Sequence, residues 1–308
     1  MRPRLQPLTR ARLASLGDRG AEWADRLPEL LADLARDWGL DLGTPLPGGS
    51  NSYVVHAVAA DGSAAVLKVV LDDDRLAEQI RVLDTAAGRG YARLLRADLD
   101  RGALLLEALG SPLQSSGRSP DDQLRIIADT LALAWLPSPI HRVPVESDKA
   151  VGLAALITEH FERLARCCPV PVRDQALRYA ELLADAPAEA LVVVHGDPHP
   201  GNALAVPRPR PGAETGYCFV DPDGFVADRA YDLGVAMRDF SATVLRDGRP
   251  VLEAYARVLA ERTGVDVVRI WRWAFLERVS TGLYVLGFGS EAVARPFLES
   301  AAVLLDPR

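Results

Sequence analysis

Two short apolar runs carry the polar residues best suited to chemistry. Ala190 to Val194 leads into His195-Gly196-Asp197-Pro198-His199-Pro200-Gly201-Asn202, and Tyr217 to Val220 leads into Asp221-Pro222-Asp223-Gly224. Carboxylates and an amide at the ends of two short strands suit phosphoryl transfer. That reaction needs a carboxylate to accept or orient the acceptor hydroxyl, and oxygen ligands for a Mg²⁺ bridging the phosphates. Asp197 is the base candidate. Asn202, five residues later past a Pro-Gly turn, can offer its amide oxygen to the metal, and Asp221 can add a charged oxygen. His195 reads as a brace for the loop and His199 as a turn or supporting residue. A metal hydrolase would be signalled by His-x-x-x-His on a helix, which is absent.

A third feature lies upstream. Of the 35 basic residues only Lys68 and Lys149 are lysines. Lys68 stands in the apolar strand Ala64 to Val70, where a compact ammonium differs from a planar guanidinium. Such a lysine can reach the α and β phosphates of a nucleotide if a side chain orients it, and Glu78 on the following helix is the candidate. The stretch Gly48-Gly49-Ser50 can bring backbone N–H groups close to phosphate oxygens because no Cβ stands in the way. Taken alone it fits a plain loop equally well. Neither G-x-x-x-x-G-K-[ST] nor G-x-G-x-x-G occurs.

The elements that must hold these residues follow from periodicity. Leu13, Leu16, Trp23, Leu27, Leu30, Leu31 and Leu34 fall at helical spacing over residues 8–38. A turn-rich stretch, Thr44 to Ser52, stops that pattern. Tyr53 to Ala59 and Ala64 to Val70 flank Asp61-Gly62, a hairpin signal. A helix over 74–87 and strands Tyr91 to Leu95 and Ala103 to Leu106 come next. Gln123 to Leu136, Lys149 to Cys167 and Asp174 to Leu183 read as helices, and the proline-rich Pro137 to Val145 as a loop. The expected fold is α+β, with a small antiparallel sheet in the first lobe (1–108) and a larger, mostly helical second lobe (109–308).

Composition bounds the function. A 49% hydrophobic and 25% charged chain of 308 residues is globular. No apolar run approaches the roughly 20 residues of a membrane span, and the arginine-bearing start lacks the apolar stretch of a signal peptide, so a cytoplasmic protein with no membrane partner is expected. A net charge of −7 has the wrong sign for a nucleic-acid partner. Three cysteines, two of them adjacent, make neither a disulfide framework nor a zinc spacing.

The loop His195 to Asn202 together with Phe219-Val220-Asp221 resembles the aminoglycoside phosphotransferase family. Gly48-Gly49-Ser50, Ala65 to Val69, Gly88-Arg89-Gly90-Tyr91 and Ala103 to Glu107 resemble its streptomycin 6-phosphotransferase and hydroxyurea phosphotransferase branch. The resemblance implies a two-lobed, protein-kinase-like fold using ATP and Mg²⁺, with Asp197 as base and Asn202 and Asp221 as metal ligands. It implies that Gly49, Ser50 and Lys68 meet phosphates and that Glu107-Ala108-Leu109 forms a hinge whose backbone meets adenine. Asp232 becomes an anchor beneath the catalytic loop. The family's lysine-pairing glutamate aligns with Gln79, one position from Glu78, so the orienting partner is one or the other.

Only ten residues separate Asp221 from Asp232, too few for the activation segment of a protein kinase, and no Ala-Pro-Glu closure follows. A small-molecule acceptor is expected, streptomycin first, with hydroxyurea or another metabolite as the alternative. Asp239, Glu261, Asp266 and Glu277, with Trp271 and Trp273, could line a site for a cationic antibiotic or be solvated faces and core. A nucleotide-binding regulator without chemistry would lack a base or a metal ligand, and none is missing.

Overall fold

The computed structural model describes residues 5, 7–46, 51–71, 75–164, 168–287 and 289–306. They divide into two compact units, 1–110 and 111–308.

The first unit opens with helices α1 (Pro7–Ser15) and α2 (Asp18–Trp38), followed by strands β1 (Leu40–Pro45), β2 (Ser52–Ala59) and β3 (Ala64–Val70). Helix α3 (Leu76–Ala86) and strands β4 (Leu94–Asp98) and β5 (Ala103–Glu107) complete it. The strands form one antiparallel sheet in the order β1-β2-β3-β5-β4. Leu27, Leu31 and Leu34 share a face of α2 and pack on Tyr53, Val55, Ala57, Ala65, Leu67, Val69, Ala103 and Leu105. Side chains alternate along a strand, so a sheet face that buries Leu67 and Val69 against α2 must turn Lys68 to the other face.

Sequence reading misses β1, because its Gly43, Thr44 and Pro45 look like turn residues. It is an edge strand with an irregularity between Leu42 and Pro45, the setting in which a sheet tolerates proline. The expected strand Tyr91–Leu95 begins three residues later, at Leu94. Tyr91 is instead fully buried ahead of it.

The second unit runs α4 (Pro120–Ala134), β6 (Leu136–Pro137), α5 (Lys149–Arg163), α6 (Val170–Leu183), β7 (Leu191–Val193), β8 (Ala203–Ala205), β9 (Tyr217–Phe219) and β10 (Val226–Asp228). Five helices follow: α7 (Ala230–Ala236), α8 (Ser241–Asp247), α9 (Arg249–Thr263), α10 (Val267–Gly287) and α11 (Glu291–Val303). Strands β10, β7 and β6 make one antiparallel sheet, and β8 pairs with β9. Helix α10 is apolar nearly all round and packs on α5, α6, α7, α9 and α11, so it is the core of this unit. Gly234 lets α7 lie against it: a Cβ there would fall 2.5 Å from Trp273 Cβ and 2.7 Å from the Ala274 nitrogen. Among the described residues no helix is long and apolar enough to cross a membrane.

Candidate active site

In the first unit, β3 and α3 set the lysine. Lys68 is buried, and its Nζ donates to Gln79 Oε1 at 3.1 Å. Glu78 is not the partner: it points outward and accepts from Arg81, with Nε at 2.8 Å. Neighbouring helix positions diverge by about 100°, so only one of the pair can face the sheet. The expectation for Glu78 is corrected to Gln79. At the end of β5, Glu107 exchanges hydrogen bonds with the Arg93 backbone, accepting its N–H at Oε1 and donating its own N–H to its carbonyl. Ala108 and Leu109 have no backbone hydrogen-bond partner among the described residues. Gly49 and Ser50 lie outside the described residues.

In the second unit, β7 delivers the loop and three clamps fix it. Asp232, fully buried in the first turn of α7, accepts the His195 N–H at 2.8 Å, the Gly196 N–H at 2.9 Å and the Trp135 indole N–H at 2.9 Å. Burial raises its carboxyl above the usual value, against the opposing pull of His195 and these donors. His195 is the second clamp. Its Nδ1 accepts the Asp197 N–H at 3.1 Å, which leaves the ring proton on Nε2, 2.9 Å from the Val220 carbonyl. Burial pushes this imidazole down, so it stays neutral and bridges the two loops. The third clamp is backbone: Asp223 donates to the His195 carbonyl at 2.7 Å. Gly196 sits at φ +94°, where a Cβ would fall 2.5 Å from Asp223 Cβ, so only glycine fits.

Pairing of β8 with β9 brings the second segment alongside. Ala203 faces Phe219, and the Val220 N–H donates to the Asn202 carbonyl at 3.0 Å. Asn202 and Asp221 therefore leave neighbouring strand ends. The Asn202 amide N–H donates to the Asp197 carbonyl at 3.0 Å, which commits its nitrogen and leaves Oδ1 as the atom that could meet a cation. Asp221 adopts φ +58°, a left-handed conformation that costs a non-glycine residue on the order of 1 kcal/mol. Such strain is tolerated where a side chain must point one way. An amide and a carboxylate are too few to cage a metal, and among the described residues no group of three or more His, Cys, Asp and Glu gathers. They suit Mg²⁺, which keeps several waters and takes its other oxygens from phosphates.

Asp197 itself has company that the sequence did not reveal. Arg238, just past the end of α7, donates Nη2–H to Asp197 Oδ1 at 2.8 Å, and His199 Nε2 stands 3.6 Å from Oδ2. Burial would raise the Asp197 carboxyl, but Arg238, then His199 and His195, outweigh it and hold the group below the usual carboxylate value. It is an anion at neutral pH, though 38% of its side-chain surface is exposed. A signal for Arg238 existed only in its place, six residues after Asp232 and two residues past a buried helix.

The acids considered for an acceptor pocket separate. Asp239 lies 3.3 Å from Arg238 Nε and 3.8 Å from His199, and Glu277 lies 4.0 Å from Arg238 Nη1. Glu261 is exposed, and Asp266 caps α10 by accepting the Val268 N–H at 2.9 Å. Trp273 is core, edge-on to Tyr231, and Trp271 lies beneath Arg249.

The chain resembles known proteins in sequence and in fold. The chain is 28% identical to the streptomycin 6-kinase of Streptomyces glaucescens, over 97% of its own length and 94% of the relative's. It is 31% identical to the hydroxyurea phosphotransferase of Kitasatospora aureofaciens, over 70% of its own length and 62% of the relative's. Its fold matches that of an aminoglycoside 2'-phosphotransferase-IIIa solved as a GDP complex, with a TM-score of 0.59 at 16% identity over 89% of this chain and 98% of the other. The fold is protein-kinase-like, and the chain is a kinase that moves phosphate to a hydroxyl of a small-molecule acceptor. The sequence pattern of the aminoglycoside/hydroxyurea antibiotic resistance kinases matches residues 38–287, and the chain belongs to that family.

Proposed function

We propose that this kinase transfers the γ-phosphate of ATP to a hydroxyl of an aminoglycoside antibiotic, with streptomycin as the first acceptor. The observation that carries this reading is the loop 195–202, in which an ionised Asp197 and Asn202 are locked in one geometry by Asp232 and His195. Similarity to a streptomycin 6-kinase along 97% of the chain supports the acceptor, and Asp239 offers negative charge for a cationic one. The 31% identity to a hydroxyurea phosphotransferase favours hydroxyurea as the second reading.

In the proposed mechanism Lys68, oriented by Gln79, holds the α and β phosphates, with Gly49 and Ser50 beside them. The backbone of Ala108 and Leu109, next to Glu107, offers unpaired N–H and C=O groups to adenine. Asn202 and Asp221 would hold Mg²⁺, which when bound supplies charge neutralisation to the β and γ phosphates. Asp197 accepts a hydrogen bond from the acceptor hydroxyl and aligns it for in-line attack on the γ-phosphorus. The acceptor oxygen bonds to phosphorus, the bridging bond to ADP breaks, and the hydroxyl proton passes to Asp197. Positioning and electrostatics do most of the work.

The test is product analysis. With Mg²⁺ and ATP, phosphorus NMR and mass spectrometry should show a streptomycin monophosphate and stoichiometric ADP. Phosphorylation of hydroxyurea alone would move the acceptor to the second reading. ADP formation with neither compound modified would contradict an antibiotic acceptor.

A further inference from the structure

The three nitrogens of the Arg238 guanidinium face three different carboxylates. Nη2 bonds Asp197 Oδ1 at 2.8 Å, Nε meets Asp239 Oδ1 at 3.3 Å, and Nη1 stands 4.0 Å from Glu277 Oε2. The first contact occupies the oxygen that an acceptor hydroxyl needs, while His199 flanks the other oxygen at 3.6 Å. The third contact is open. Glu277 is 4% exposed and has the Tyr231 hydroxyl beside it, while its Oε1 is buried and makes no hydrogen bond among the described residues. A buried carboxylate oxygen without a donor is costly, and a charge-assisted bond to a guanidinium is among the strongest ways to satisfy it. The same arginine is thus bonded to the catalytic candidate and held about 1 Å short of a second, buried carboxylate, with Asp239 as a shared pivot.

We infer that Arg238 is a positioning residue that latches Asp197 in the acceptor-free kinase and moves onto Glu277 when an acceptor hydroxyl takes its place. The inference rests on Asp197 being the base. The latch has a chemical purpose. Water is also an acceptor: its oxygen can attack the γ-phosphorus, release ADP and phosphate, and leave its proton on Asp197 for solvent to remove. An arginine on Asp197 Oδ1 makes that oxygen a weaker base toward water. An acceptor that binds through several contacts can displace it, because Glu277 compensates the lost ion pair. The latch therefore couples ATP consumption to the presence of the acceptor.

The test compares ADP release without acceptor and phosphorylation of streptomycin in the wild type, Arg238→Gln, Arg238→Lys and Glu277→Gln. Thermal melting and ATP binding are measured for each. Arg238→Gln should raise acceptor-free ADP release about tenfold, consistent with loss of one charge-assisted hydrogen bond, and Arg238→Lys should restore it toward wild type. Glu277→Gln should lower streptomycin phosphorylation about tenfold with the KM for ATP unchanged, since the arginine then has no charged alternative. In the double variant Arg238→Gln/Glu277→Gln the second substitution should have no further effect. A merely structural Arg238 would lower hydrolysis and transfer in the same ratio, which overturns the inference, as would additive effects in the double variant. If Glu277→Gln does not fold, the acceptor-free arm of the Arg238 variants decides alone. If the wild type ignores streptomycin, the acceptor has been misassigned, and the acceptor-free arm still tests the latch.

Discussion

Lys68 Nζ donates to Gln79 Oε1 at 3.1 Å, while Glu78, one residue earlier on the same helix, turns outward to Arg81. A neutral amide therefore helps to hold the lysine on its own side of the sheet. Gln79→Ala should raise the KM for ATP about tenfold or more, the scale of a lost hydrogen bond to a charged group. Glu78→Ala should leave that KM within about twofold, because an exposed ion pair contributes little. Initial rates against ATP concentration decide, and the reverse pattern would return the role to Glu78.

Asp232 depends on all three of its donors. Trp135→Phe keeps the ring and removes one N–H, which should destabilise the protein by about 1–3 kcal/mol, the cost of an under-satisfied buried carboxylate. Asp232→Asn is expected to be worse for turnover. Its amide N–H would oppose the N–H of His195 or Gly196, and the loop carrying Asp197 would shift. Denaturant unfolding and kcat, measured on the same preparations, check both.

A second buried cation ties α10 to α8 and α11. Arg278 is fully buried and bonds Ser241 Oγ at 2.5 Å, Ser300 Oγ at 2.9 Å and the Met237 carbonyl at 2.8 Å. Burial pulls its guanidinium down to about 10, against the pull of Asp239. Ser300→Ala leaves one donor facing no acceptor and should lower stability by about 1–3 kcal/mol, with ATP and acceptor KM unchanged. An unchanged urea midpoint would contradict this.

The stability of the fold should also depend on pH through His195. Its folded value lies below the ordinary one, so the unfolded chain binds more protons in the window between the two. The stability tied to this group is complete above about pH 6.5 and is lost as pH falls through the folded value. Asp232, raised by burial, runs the other way at lower pH. Melting curves of the wild type and His195→Asn should converge as pH drops below about 6.5. Parallel curves would mean that His195 binds its proton equally well in the folded and the unfolded chain.

Much of the site was legible because strand pattern and loop chemistry coincide. The hairpin of β2 and β3 follows from alternation around Asp61-Gly62, and it fixes which face Lys68 takes. Loop 195–202 was readable because an apolar run ends abruptly in residues with one shared chemistry. Strands β8 and β10 were not, since three-residue strands carry too little pattern to outweigh neighbouring turns. Arg238 escaped for a different reason. An arginine after a helix is unremarkable in a chain with 35 basic residues, and only tertiary packing of α7 on α10 brings it to Asp197. Choosing between Glu78 and Gln79 needed the helix phase, which a one-residue uncertainty in its start erases.

The most direct test of Asp197 as the base of an antibiotic kinase is ADP release with Mg²⁺ and ATP against streptomycin, other aminoglycosides, hydroxyurea and peptide antibiotics, with Asp197→Ala beside the wild type. Release should be stimulated by streptomycin in the wild type and abolished in Asp197→Ala, with ATP affinity nearly unchanged between them. Full turnover in Asp197→Ala, or no ATP binding by the wild type, would contradict that role.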